Sequence, residues 1–209
     1  GFELAGDLRL PQGTDCLVIL VHGSGGGHSN PRNHYIAEYL ARHGMGTLVV
    51  DLLTRTEQRW DNLTGVLRFD IPLLADRLSQ VIDATARDTQ LRKLGVGLFG
   101  ASTGAAAVLV AAARSPSVQA VVSRGGRTDL AAEALPLVSA PTLQVVGGED
   151  PMILRLNVQT CQTLHCEQRL EVIEGATHLF KEPGALADVA RLTGNWFEQY
   201  LHKEHTCTS

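Results

Sequence analysis

Short runs of Val, Ile and Leu recur along the chain, at "CLVILV" (Cys16 to Val21), "GTLVVDLL", "VGLFG", "VQAVVS", "TLQVVGG" and "RLEVIE". Each is a continuous apolar stretch, which predicts strands buried on both faces. Between them lie helix candidates at about Asn33 to His43, Phe69 to Asp88, Ser102 to Ser115, Arg155 to Leu164 and Pro183 to His202. Strand and helix therefore alternate, which implies crossover connections and a mainly parallel sheet flanked by helices, the α/β class. The segment "ELAGDLRLPQG" departs from this pattern. Its weak alternation, closed by Pro11 and Gly13, predicts an antiparallel edge strand or hairpin. The stretch "RTEQRWDN" reads as a polar loop, and the tail over 203–209 is expected to fray.

Composition narrows the picture. The 209 residues suit one domain spanning 1–209, and 44% hydrophobic with 19% charged residues is ordinary for a soluble globular chain. A net charge of -4 provides no basic excess for phosphate backbones, so nucleic acid is not expected as a partner. No apolar run approaches the roughly 20 residues of a membrane span, and the start "GFELAGDLRL" lacks the regions of a signal peptide. The expectation is a cytoplasmic protein with no membrane partner. Cys16, Cys161, Cys166 and Cys207 show neither Cys-x-x-Cys spacing nor the density of a disulfide scaffold, which predicts reduced thiols. His202 and His205 in the tail are expected to be solvated, and no metal or cofactor is expected. No face specifies an oligomer, so a homodimer stays open.

In an open parallel sheet, ligands bind beyond the carboxyl ends of the strands, and the polar residues of this chain collect there. After "VILV" comes "HGSGGGHSN"; after "VGLFG", Ala101-Ser102-Thr103-Gly104; after "VVS", "RGGRTD"; after "VVGG", Glu149-Asp150; after "VIEGAT", His178. Ser102 sits in "GASTG", where it is either a nucleophile on a tight turn or a plain helix N-cap. A serine hydroxyl needs a base to take its proton, and the base needs an acid to fix its tautomer. The order Ser102, Asp150, His178 is the one described for α/β-hydrolases. Asp129 and Glu149 compete with Asp150 for the acid role. Two N–H groups should stabilise an oxyanion: Thr103 from the turn itself, and Ser24, with Gly25 as its rival, from the glycine-rich turn after the first parallel strand.

With these residues in hand, the chain resembles the dienelactone hydrolase group of α/β-hydrolases, and more narrowly small members whose relatives can be fused to a phosphoribosyltransferase domain. The matching stretches are "VHGSGGGHSNPRNHYIAEYLARHGMGTLVVDLLT", "GLFGASTGAAA", "VVSRGGRTDLA", "APTLQVVGGEDP" and "GATHLFKEPGAL". The resemblance implies an α/β-hydrolase fold with Ser102 as nucleophile, Asp150 as acid and His178 as base. Dienelactone hydrolases proper typically carry cysteine at the nucleophile position. Serine here makes ester or thioester hydrolysis at least as strong an expectation as lactone opening.

Only about fifteen residues, Gly125 to Ala140, separate "VVSR" from "APTLQVV", too few for a cap domain. Arg124, Arg127, Arg32 and Arg55 lie at strand ends, where they either hold an anionic substrate group or pair with Asp129, Asp51 or Glu57. Trp60 either lines an acyl pocket or packs. The expected function is a serine hydrolase acting on a small-molecule ester or lactone. The alternatives are an acyltransferase or lactone-specific hydrolase on the same triad, and a ligand-binding receptor or scaffold of the same fold.

Overall fold

The computed structural model describes residues 2–23 and 30–201. Its centre is a seven-stranded sheet of β1 (Gly6–Arg9), β2 (Cys16–Val21), β3 (Gly46–Val50), β4 (Gly95–Ala101), β5 (Val118–Arg124), β6 (Thr142–Gly147) and β7 (Gln168–Ile173). The spatial order is β1-β3-β2-β4-β5-β6-β7; β1 pairs antiparallel with β3 and every other pairing is parallel. The helices are α1 (Pro31–Arg42), α2 (Arg55–Thr64), α3 (Ile71–Arg87), α4 (Thr103–Arg114), α5 (Pro151–Thr163) and α6 (Ala185–Leu201).

The apolar runs split their side chains between two cores because successive strand residues point to opposite faces. On β2, Leu17, Ile19 and Val21 pack with Leu74 and Leu78 of α3 and the alanines of α4, while Cys16, Val18 and Leu20 pack with Ile36 and Leu40 of α1 and Phe197 of α6. Ala105, Ala106 and Ala107 are wholly buried, so larger side chains there would force α4 off the sheet. Trp196 is 6% exposed and donates from Nε1 to the Pro141 carbonyl, consistent with a core anchor.

Two expectations require correction. The stretch "RTEQRWDN" is not a loop: it lies within α2, a helix whose one buried residue is Asp61 and which therefore shows no apolar stripe. Its start is written in a capping box, Thr54 Oγ1 accepting from Glu57 N–H while Glu57 Oε2 accepts from Thr54 N–H. The run "RLEVIE" forms β7, but as the sheet's edge strand it is only partly buried. The segment between β5 and β6 makes two short 3-10 turns, Thr128–Ala131 and Leu135–Leu137, and no cap domain. Among the described residues, no helix is long and apolar enough to cross a membrane.

Glu57 also receives Arg77, whose Nη2 and Nη1 lie 2.8 and 3.1 Å from its two oxygens. Arg77 Nη1 donates to the Leu52 carbonyl as well, so one guanidinium ties α3 to the loop that leaves β3. These hydrogen bonds from Arg77 hold the Glu57 carboxyl below its ordinary value. Replacing Glu57 by Gln leaves the Arg77 charge, 8% exposed, without its partner. The variant is expected to lose about 2 kcal/mol in urea unfolding at neutral pH. Because the folded carboxyl titrates below the unfolded one, the stabilisation is present above about pH 4 and fades below it. The difference between Glu57→Gln and the parent should therefore shrink in acid.

Candidate active site

The turn between β4 and α4 is tight because two backbones meet there. A Cβ on Gly100 would lie 2.5 Å from the Gly104 carbonyl oxygen, and one on Gly104 would lie 2.8 Å from the carbonyl oxygen of His22. Neither position admits a side chain, which explains the glycines on both sides of "AST". Between them Ser102 has φ 52 and ψ -120, a region that costs a non-glycine residue about 1–3 kcal/mol. Ser102 stands before the first residue of α4, yet its side chain makes no cap hydrogen bond. The plain N-cap reading therefore fails: a capping serine sits in extended backbone and uses its oxygen on the helix. Ser102 N–H donates to the Arg124 carbonyl at 3.1 Å, and the Ser102 carbonyl accepts from Arg127 N–H at 3.0 Å, so the turn is braced against the end of β5. Thr103, 2% exposed, opens α4 and presents an N–H of the first turn, one of those a helix leaves unpaired.

His178 follows β7 in a loop laid across the end of β6. Thr177 Oγ1 donates to Glu182 Oε1 at 2.6 Å and Phe180 N–H donates to the Thr177 carbonyl, closing the loop around the histidine. The His178 Nδ1 to Asp150 Oδ2 distance is 2.6 Å. Asp150 stands before Pro151, the first residue of α5, with its carboxylate free of any cap bond and so available to the imidazole. The other two candidate acids lie elsewhere: Arg127 holds both oxygens of Asp129, at 2.9 and 2.8 Å, and Glu149 is exposed. The imidazole lies over Gly125, where a Cβ would be 3.3 Å from His178 Cε1. Because Gly125 directly follows the residue bonded to Ser102, this contact brings His178 and Ser102 to the same strand ends. Among the described residues, no hydrogen bond joins Ser102 Oγ to His178.

The remaining expected site residues divide. Ser24 and Gly25 lie outside the described residues, as do His202, His205 and Cys207. Arg127 is paired with Asp129 and so is not free to hold a substrate. Arg55 is exposed at the start of α2, and Trp60 on the same helix is 48% exposed, neither packed in the core nor closed into a pocket. Arg124 is 6% exposed and makes no ion pair among the described residues, and Arg32 makes none either. Asp51 and Glu57 pair with other residues: His22 Nε2 lies 2.8 Å from Asp51, and Arg77 takes Glu57. The His22–Asp51 pair has no signal in the sequence, since no local spacing links positions just beyond the ends of two different strands. Among the described residues, no cluster of His, Cys, Asp or Glu could hold a metal ion.

Comparison with known proteins gives a consistent picture. The family model described as "Dienelactone hydrolase family" matches residues 4–201. A dienelactone hydrolase from Anabaena variabilis ATCC 29413 is 50% identical in sequence and superimposes with a TM-score of 0.93, over 95% of this chain and 93% of that one. Est1E from Butyrivibrio proteoclasticus, at 16% identity, TM-score 0.79 and 95% coverage of each chain, agrees in fold. Proteins from two strains of Mycobacterium tuberculosis, provisionally named phosphoribosyl transferases, are each 48% identical over 199 residues. That stretch is 95% of this chain but 44% of theirs, so the chain spans less than half the length of these curated relatives.

The geometry predicts a low-field imidazole proton from the His178–Asp150 hydrogen bond. In the proton NMR spectrum the resonance should vanish in Asp150→Ala and persist in Asp129→Ala and Glu149→Ala. Persistence in Asp150→Ala would mean that another acid holds the ring.

Proposed function

The chain belongs to the dienelactone hydrolase family, and on that premise we propose that it is a serine hydrolase that cleaves ester bonds of small molecules, lactones and thioesters included, through an acyl-enzyme. The observation that supports this reading most is the backbone of Ser102: a positive φ at a β-to-α turn, with a hydroxyl that caps nothing.

In the proposed sequence, His178 Nε2 takes the Ser102 proton as Oγ bonds to the substrate carbonyl carbon. Asp150 accepts from His178 Nδ1–H, which keeps Nε2 as the basic nitrogen and stabilises the imidazolium. The oxygen that becomes negative is held by Thr103 N–H and by a second donor from the residues that follow β2 in the chain, assigned to Ser24 with Gly25 as its rival. As the carbon–oxygen bond to the leaving group breaks, the imidazolium protonates the departing oxygen. Water, deprotonated by His178, then attacks the acyl-enzyme and frees the acid and Ser102. A thioester follows the same course with sulfur as the leaving atom. The proposal covers the hydrolase that this chain resembles and assigns no transferase activity of the longer relatives to it.

Steady-state hydrolysis of 4-nitrophenyl acetate and butanoate tests the assignment. Ser102→Ala should fall to the buffer rate, and Asp150→Asn should lose about 10³- to 10⁴-fold in kcat because the imidazole is held in the wrong tautomer. Glu149→Gln should retain the parent rate. Undiminished turnover by Ser102→Ala would overturn the proposal.

A further inference from the structure

Of the four arginines at the strand ends, two have local duties: Arg127 grips Asp129 with two hydrogen bonds, and Arg55 is exposed on α2. The other two face a common region. Arg124 ends β5, on the side of the sheet that carries α1 and α6, and Arg32 opens α1. The Arg124 residue is 6% exposed, and its Nε and Nη1 have no hydrogen-bond partner. Arg32 Nε is likewise buried and unpartnered. The Phe180 ring centroid lies 5.9 Å from the Arg124 guanidinium. No carboxylate pairs with either arginine among the described residues.

A buried guanidinium with idle N–H groups is costly, since the donors on Nε and Nη1 lose water and gain nothing in exchange. Placing a second guanidinium nearby raises that cost. Burial, and then the charge of Arg32, lower the Arg124 pKa to about 10, so Arg124 remains cationic at neutral pH. The backbone before Arg32 adds to the field, because the N-terminus of the twelve-residue α1 presents partial positive charge. Such an arrangement suits an anionic group.

Resting on the serine-hydrolase reading above, we propose that Arg32 and Arg124 form the seat of a phosphate group carried by the substrate ester. The placement fits: the Arg124 carbonyl accepts from Ser102 N–H, so a substrate held there extends to the nucleophile within one side chain's reach. Beside Arg32 lies a cleft of about 370 Å³ between α1 and the loop after His178, lined also by Tyr35, Phe180 and Lys181. Phe180 is the residue whose ring lies over Arg124. Glu182, also on this rim, accepts from the Thr177 hydroxyl and so serves the His178 loop. Charge decides between the common oxyanions. Two guanidiniums opposite one carboxylate leave a buried positive charge, whereas a phosphate monoester carries close to two negative charges at neutral pH and several acceptor oxygens.

The test compares kcat/KM for three 4-nitrophenyl esters of matched length: butanoate, the ester of 4-phosphonooxybutanoate, and the monoester of glutarate. The parent should prefer the phosphorylated ester over butanoate by at least about tenfold, with glutarate between. In Arg32→Gln and in Arg124→Met the phosphorylated-to-butanoate ratio should fall to near one. A parent ratio near one, a stronger preference for glutarate than for the phosphorylated ester, or a ratio that neither substitution changes would overturn the phosphate seat. Thermal unfolding with inorganic phosphate against chloride of equal ionic strength separates the two proposals. If Ser102→Ala hydrolyses butanoate at the parent rate, the acyl-enzyme reading fails, and the seat is then judged by the phosphate-induced rise in Tm. That rise is expected in Ser102→Ala and should be lost in both arginine variants; its absence from Ser102→Ala, or its survival in them, overturns the seat.

Discussion

The backbone of Ser102 is the constraint around which the candidate site is organised. A serine at φ 52 is tolerated because neighbouring segments over-determine it: Gly100 and Gly104 let β4, α4 and the end of β2 approach within contact, and Arg124 and Arg127 brace the turn through Ser102's own N–H and carbonyl. Each brace has a second use. The residue that accepts from Ser102 N–H precedes the glycine against which His178 rests, and the one that donates to the Ser102 carbonyl also holds the Asp129 carboxylate. Strain at one residue is thus shared by the strand that bears the serine and the strand next to it. That is the behaviour expected of a functional turn and not of a helix cap.

Much of this was legible in the sequence, for identifiable reasons. Six of the strands follow from continuous apolar runs, β1 from the weak alternation closed by Pro11 and Gly13, and five of the helices from the longer stretches between the runs, while the order Ser102, Asp150, His178 needs no tertiary information. What escaped the reading escaped for physical reasons. Helix α2 buries one polar residue, Asp61, so it has no hydrophobic period, and its signal was the Thr54-x-x-Glu57 capping box instead. Helix α5 begins at Pro151, four residues before the expected start, because an Asp-Pro pair opens a helix ahead of its apolar stripe. The edge position of β7 depends on the spatial order of strands, which a one-dimensional pattern of apolar residues does not encode.

The arginines show the same division. Asp129 is two residues from Arg127, so that pairing was an available reading, whereas the isolation of Arg124 depends on Phe180 and Arg32 arriving from distant parts of the chain. Family membership supports hydrolase chemistry and the α/β scaffold, and the Anabaena variabilis dienelactone hydrolase shares both the fold and half of the aligned residues. Within that scaffold, a buried cation without a carboxylate partner at the strand end that supports Ser102 is a property of this chain's own side chains.

The central claim is that Ser102 itself is acylated, and intact-mass analysis after exposure to a fluorophosphonate, followed by peptide mapping, tests it most directly. The account predicts one adduct per chain, located on the peptide containing "GASTG" and absent from Ser102→Ala. An unlabelled protein, or an adduct that persists in Ser102→Ala, would contradict it.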